Sequence, residues 1–185
     1  MGRELADSRI GIIGYGSIGR SLANLAKVLG MRVMVADPYK TISDPYIRHV
    51  PLHELLGGAD YVVCLAIASE ETENLIGAQA FAQMQPHAFF INLSRGNLVD
   101  EAALAAALRN KRIAGAAMDV GRAPDQMPTP ELAKLPNVIA TPHIGGLTPQ
   151  AIEHQAMETV RQVGMIIGGK VPVGAVNVEH WRRRP

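Results

Sequence analysis

Short apolar runs alternate with stretches of helical periodicity along most of the chain, which predicts parallel strands joined by crossover helices. The first run, Ile10 to Ile13, leads into a helical stretch where Ile18, Leu22, Leu25, Ala26 and Leu29 share one face, with Gly30 as a stop signal. Val33 to Ala36 is a second strand. A short helix is expected around Leu52 to Leu56, then a third strand over Tyr61 to Ile67, too apolar to face water on either side and therefore central. A helix over Ala78 to Met84 ends ahead of Pro86, and Phe89 to Leu93 forms the fourth strand. Asp100 caps an alanine-rich helix reaching Leu108, and Ile113 to Met118 is the fifth strand.

The rhythm breaks between Val120 and Asn137, where four prolines leave only a turn of helix near Glu131 to Leu135. Loops of that length usually serve a function or lack order. Val138 to Ala140 is a sixth short strand, and Thr148-Pro149 starts a last long helix with an N-cap hydroxyl and Pro at the first helical position. Gly168-Gly169 ends it. The tail from Lys170 to Pro185, with Trp181 and three arginines, is expected at the surface.

The first strand enters Gly14-Tyr15-Gly16-Ser17-Ile18-Gly19, a helix follows, and the second strand ends in Asp37, 18 positions beyond Gly19. A lone Gly-x-Gly-x-x-Gly is weak evidence, but strand, helix and acid supply the context that a dinucleotide site requires. Gly14 permits the tight turn, Gly16 lets the backbone approach a pyrophosphate, and Gly19 lets helix lie close to strand. The helix N-terminus then faces the phosphates with unpaired N–H groups. A carboxylate at Asp37 suits the ribose hydroxyls of NAD and repels the 2′-phosphate of NADP, although Asp37-Pro38 also has the makings of a surface turn. The fold class expected is α/β, a Rossmann-type doubly wound parallel sheet, with a nucleotide-binding domain over 1–169 and a tail over 170–185.

Composition narrows the partners. A chain of 185 residues suffices for one sizeable core. A net charge of +1 gives no overall pull toward nucleic acid or an anionic membrane. No apolar stretch approaches the roughly 20 residues of a membrane-spanning helix. The single cysteine, Cys64, lies in an apolar run and reads as a small core residue; one cysteine allows no internal disulfide, which suits a cytoplasmic protein.

Three segments after strands carry groups with chemical potential. Arg95, in Asn92-Leu93-Ser94-Arg95-Gly96, falls at the carboxyl edge of the sheet, where a guanidinium can hold a carboxylate through two parallel hydrogen bonds. His143, in Thr141-Pro142-His143-Ile144-Gly145-Gly146, is placed to move a proton near neutral pH. The remaining histidines, His49, His53, His87, His154 and His180, read as structural. Asp119 ends the fifth strand, and Asp125 lies on a loop long enough to reach His143, where a carboxylate fixes the tautomer and raises the imidazole pKa.

Taken together, these motifs closely resemble the D-isomer-specific 2-hydroxyacid dehydrogenase family, and in the family's order: Gly-Arg-Glu-Leu at the start, Gly14 to Gly19, Asp37, Asn92 to Gly96, Gly115 to Val120 and Thr141 to Gly146. The resemblance implies hydride transfer between NAD and the C2 hydroxyl of a 2-hydroxy acid. Arg95 then binds the substrate carboxylate and carbonyl, His143 is the acid/base, and Asp119 contacts the nicotinamide end. The implied cofactor set is Gly14, Tyr15, Gly16, Ser17, Ile18, Gly19, Asp37, Leu65, Ala66, Thr72, Leu93, Ser94, Arg95, Asp119, His143 and Gly145.

Two departures stand out. The family's Asp-Val-Phe and Glu-Pro, whose Glu partners the catalytic His, are replaced by Gly121-Arg122-Ala123-Pro124-Asp125-Gln126. Asp125 is the candidate replacement, with Glu131 as fallback. The family's substrate domain is also missing from this sequence, so the chain is expected to be a cofactor domain, excised or naturally shortened, that binds NAD but turns over substrate poorly. The family also makes a homodimer conceivable. The competing reading is an NAD-sensing interaction module resembling a corepressor; the short-chain dehydrogenases are disfavoured because no Tyr-x-x-x-Lys pair occurs.

Overall fold

The computed structural model describes residues 4–175 and 178–180, so Trp181 to Arg184 and the opening Gly2-Arg3 lie outside the described residues. The chain divides into two compact units, 1–143 and 144–185.

The first unit carries the sheet. Its strands are β1 (Arg9–Ile13), β2 (Arg32–Ala36), β3 (Ile47–His49), β4 (Tyr61–Cys64), β5 (Phe89–Asn92), β6 (Gly115–Met118) and β7 (Val138–Ala140). All pair in parallel, in the order β3-β2-β1-β4-β5-β6-β7. The helices are α1 (Ser17–Val28), α2 (Leu52–Gly58), α3 (Ala78–Gln83), α4 (Glu101–Arg109) and α5 (Pro130–Ala133). β4 is central, as its apolar sequence predicts. β3 adds a seventh strand that the sequence pattern does not announce. Only Ile47 of its three residues is buried, so there is no alternation to read.

Successive side chains of a strand point to opposite faces, and the core divides accordingly. Met34, Val62, Cys64 and Phe90 join Leu55, Phe81, Leu104 and Leu108 of α2, α3 and α4 on one face. Phe81 and Phe90 meet edge to face at 5.4 Å. On the other face Ile10, Ile12, Val33, Val35 and Val63 meet Ala23 and Ala26 of α1. Here the expected helix face is corrected. The buried residues of α1 are Gly19, Ala23 and Ala26, while Ile18 is 69% and Leu25 62% exposed and Leu29 also faces outward. Of the expected face, Ala26 is buried and Leu22 packs partly buried against this core, while the close approach at Gly19 and Ala23 leaves Ile18, Leu25 and Leu29 on the outer side.

Local signals act as their chemistry suggests. The Asp100 carboxylate accepts the Ala103 N–H at 3.0 Å and caps α4. Cys64 is buried, which pushes its thiol up to about 11 and leaves it inert at neutral pH. The second unit holds the 19-residue helix α6 (Pro149–Ile167), started by the Thr148 hydroxyl accepting from Ala151 N–H at 3.2 Å. Among the described residues no helix is long and apolar enough to cross a membrane.

Candidate active site

In an open parallel sheet the ligand crevice lies beyond the carboxyl ends of the strands where the strand order reverses, which in this sheet is between β1 and β4. The turn after β1 is shaped by its glycines. Gly14 has φ +95°, and a Cβ there would stand 2.7 Å from the Leu65 carbonyl oxygen just beyond β4. A Cβ at Gly19 would overlap the Gly14 carbonyl oxygen. Gly16 is different: a Cβ there would meet nothing within 4 Å, so the space in front of it is open. As the N-cap of α1, Gly16 offers no side-chain acceptor to the first amides of the helix, at Ser17, Ile18 and Gly19. The arrangement fits a pyrophosphate: a tight turn, uncapped donors and room in front of them.

Asp37, at the exit of β2, accepts the main-chain N–H groups of Tyr15 at 2.7 Å and Tyr39 at 2.9 Å. The two sequence readings of this residue, ribose acceptor and turn opener, are compatible, because a carboxylate offers about four lone-pair sites. It lines a cleft of about 830 Å³ together with Gly14, Tyr39, Ala66, Glu71, Thr72 and an apolar floor that includes Val50 and Leu75. The wall carries the carboxylates of Asp37 and Glu71 and neither Lys nor Arg. Tyr39 Oη donates to Glu71 Oε2 at 3.4 Å. Among the cleft residues to which the sequence assigns no role are Tyr39, Glu71 and His49, whose ring nitrogen bonds the Asp37 carbonyl at 3.0 Å. A position two residues past Asp37 points to Tyr39; nothing in the sequence points to the other two.

The Arg95 turn is stitched in place by a residue to which the sequence assigns no role. Asn92 is fully buried, its Nδ2 donates to the Arg95 carbonyl at 2.9 Å, and its Oδ1 accepts the Ser94 N–H at 3.1 Å. Ser94 Oγ donates to the Ala66 carbonyl at 2.7 Å, joining this turn to the one after β4. Arg95 is exposed and donates from Nη1 to the Ser94 carbonyl at 2.7 Å; among the described residues no carboxylate pairs with it. Leu93 beside it is 52% exposed.

Asp119 leaves β6 with its Oδ1 accepting the Thr141 hydroxyl at 2.6 Å, which links the exits of β6 and β7. His143 follows with φ +55°, a conformation that is uncommon outside glycine. Gly145 belongs to the second unit, which begins at Ile144. The ring Nδ1 of His143 lies 3.2 Å from the main-chain carbonyl of Asp125. Asp125 therefore does reach His143, but through its backbone; no hydrogen bond joins its exposed carboxylate to the ring. A carbonyl only accepts, so Nδ1 carries the proton and Nε2 of the neutral ring is the free acceptor. Glu131 sits in the first turn of α5 and makes no hydrogen bond to the ring among the described residues.

Comparison with known proteins accords with this geometry. Residues 1–145 match the family described as D-isomer specific 2-hydroxyacid dehydrogenase, NAD binding domain. D-3-phosphoglycerate dehydrogenase 1 of Saccharomyces cerevisiae is 38% identical over 187 residues, covering 94% of this chain and 40% of that protein. (S)-sulfolactate dehydrogenase of Chromohalobacter salexigens is 38% identical over 172 residues, covering 91% of this chain and 56% of that protein. The crystal structure of D-lactate dehydrogenase with NAD+ from Lactobacillus jensenii superposes with a TM-score of 0.86 at 30% identity, over 96% of this chain and 58% of that one. The chain thus spans about half the length of the relatives it matches. Glycine turn, terminal acid of β2, and the guanidinium and imidazole turns occur together on one sheet edge because the chain belongs to the D-isomer-specific 2-hydroxyacid dehydrogenase family, as its NAD-binding domain.

Proposed function

We propose that this chain is the cofactor-binding part of an oxidoreductase that moves hydride between NAD and C2 of a D-2-hydroxy acid. The observation that carries the reading is the gathering of the Gly14–Gly19 turn, Asp37, Arg95, Asp119 and His143 at the exits of β1, β2, β5, β6 and β7, all on the carboxyl edge of one sheet. The amides of α1 would hold the pyrophosphate, and Asp37 the adenosine ribose. Bound NAD supplies the hydride acceptor. Arg95, which pairs with no carboxylate among the described residues, binds the substrate carboxylate through paired hydrogen bonds and polarises the neighbouring carbonyl in the reducing direction. His143 Nε2 takes the hydroxyl proton as the hydride leaves C2, and returns it in reduction. The acidic wall of the adenosine cleft disfavours a 2′-phosphate, which would bring like charge to Asp37 and Glu71 without a cation to offset it.

Two measurements test this. Parallel calorimetric titrations should show NAD binding and NADP binding at least about tenfold weaker, equivalent to ~1.4 kcal/mol; equal affinities would remove the role given to Asp37. In a hydride-transfer assay over a panel of 2-hydroxy acids, His143→Gln should lower turnover by roughly 10²- to 10⁴-fold, the usual range for general acid–base catalysis. Undiminished turnover in that variant would rule out the assignment.

A further inference from the structure

The loop after β6 departs from the family pattern, and it is braced at both ends by side-chain hydrogen bonds. Arg122 accounts for most of the bracing. Its main-chain N–H donates to Glu101 Oε1 at 2.8 Å, and its Nε donates to the Val99 carbonyl at 3.0 Å. Its Nη2 faces Glu73 Oε1 at 2.8 Å, Asn74 Oδ1 at 2.7 Å and the Asn97 carbonyl at 2.9 Å. Glu101, only 9% exposed, holds the far end of the same loop through its other oxygen, which accepts the Thr129 hydroxyl at 2.7 Å. Between these anchors the chain closes on itself, with Gly121 N–H donating to the Gln126 carbonyl at 2.7 Å and Ala123 N–H to the Met127 carbonyl at 3.0 Å. The loop also backs onto the Arg95 turn, since a Cβ at Gly96 would overlap the Gly121 carbonyl.

At the tip, Asp125 and Gln126 have φ +60° and +58°. Such conformations are uncommon outside glycine and persist only where the surroundings impose them. What they achieve is direction: the Asp125 carbonyl is aimed at Nδ1 of His143.

We propose that Arg122 is a positioning residue for His143, holding the loop so that the Asp125 main-chain carbonyl, in place of a carboxylate, keeps the imidazole in its Nδ1–H form with Nε2 free for the substrate proton. This rests on the reading of His143 as the acid/base. A guanidinium suits the task because its rigid planar fork presents donors at separate points, Nε toward Val99 and Nη2 toward residues 73, 74 and 97, whereas an ammonium offers its three from a single nitrogen. The carbonyl fixes the tautomer as a carboxylate would, but it adds no full negative charge beside the ring.

The test is the ¹⁵N imidazole spectrum of His143, recorded beside an NAD titration on the same 185-residue chain. The unmodified protein should show the Nδ1–H tautomer, and Asp125→Asn should show it too, because the carbonyl remains. Arg122→Ala should lose that signature while binding NAD as before, since Arg122 does not line the adenosine cleft. Arg122→Lys should restore it in part. The proposal is overturned by an Nε2–H ring in the unmodified chain, by its appearance in Asp125→Asn, or by an unchanged tautomer in a folded Arg122→Ala. Should Arg122→Ala fail to fold, the exposed partners serve instead: Glu73→Gln with Asn74→Ala must weaken the Nδ1–H signature, and an unaltered spectrum there is equally fatal. Failure of the functional reading looks different, because it shows as absent NAD binding or as full turnover in His143→Gln, neither of which alters the tautomer result.

Discussion

The two ends of this sheet treat charge in opposite ways. At the amino end, Asp60 accepts the Arg9 N–H at 2.7 Å and the His87 ring nitrogen at 2.7 Å, Arg32 meets Asp7 at 3.1 Å, and Lys27 at the end of α1 pairs with Asp44 ahead of β3. At the carboxyl end Arg95 has no carboxylate among the described residues, the first amides of α1 have no side-chain cap, and Asp37 and Glu71 face a cleft without a cation on its wall. Both ends are polar, but only one is neutralised from within. Where the protein's own charges offset each other, the contribution is to stability; the charges not offset from within are the ones the proposed function assigns to ligand binding.

The loop after β6 belongs to the carboxyl end yet is built like the amino end. Its donors and acceptors are consumed internally by Arg122 and Glu101. On the proposed reading its contribution to the site is rigidity, delivered through one carbonyl, while Arg95 and His143 supply the acting groups.

Substitutions can break this contrast, beginning with the largest effect. Gly19→Val should destabilise the fold by about 3 kcal/mol, the upper range for overpacking, because its Cβ overlaps the Gly14 carbonyl. Denaturant unfolding measures this, and NAD binding should vanish with it. Asp60→Ala should cost about 2 kcal/mol by leaving its donors without an acceptor, with NAD affinity unaltered; a loss of affinity would mean the two ends are not separable. Asp60 also sets a pH dependence. Burial tends to raise its pKa, but the Arg9 main-chain N–H, the His87 ring and the Arg9 charge outweigh that and hold it below the usual carboxylate value. A depressed pKa contributes stability that is fully present above the unfolded value and is lost as pH falls through the folded one. Acid unfolding curves of Asp60→Asn should therefore lack this component of the decline below the ordinary carboxylate range.

Gly16→Val sharpens the comparison from the other side. Its side chain meets open space, so stability should change by no more than about 0.5 kcal/mol, while NAD affinity drops about tenfold or more, ~1.4 kcal/mol, as the side chain fills the room in front of the α1 amides. Unchanged affinity would show that the pyrophosphate lies elsewhere. Arg32→Ala should have the smallest effect, within about 0.5 kcal/mol in thermal unfolding, because Arg32 and Asp7 are 70% and 84% exposed and such pairs are screened by solvent.

Much of this molecule is legible in its amino-acid sequence. Six strands, the caps at Asp100 and Thr148, and the exits bearing Gly14, Asp37, Arg95, Asp119 and His143 follow from periodicity and from residues whose local chemistry acts within a few positions of themselves. β3 was not legible, since three residues with one buried side chain have no period. The outward face of α1 was not either, because the spacing of Leu and Ile reports helicity but not how near the helix lies to its strand.

What the sequence determined alone is the list of turns and the groups they carry, because strand, helix and cap are short-range consequences of residue type. Which atom of Asp125 meets His143 was decided only by tertiary structure. The 18-position separation gives reach but no direction, and on the proposal above the direction comes from Arg122 and Glu101, whose partners at 73, 74, 97, 99 and 129 converge only once the sheet has brought its carboxyl-edge turns together.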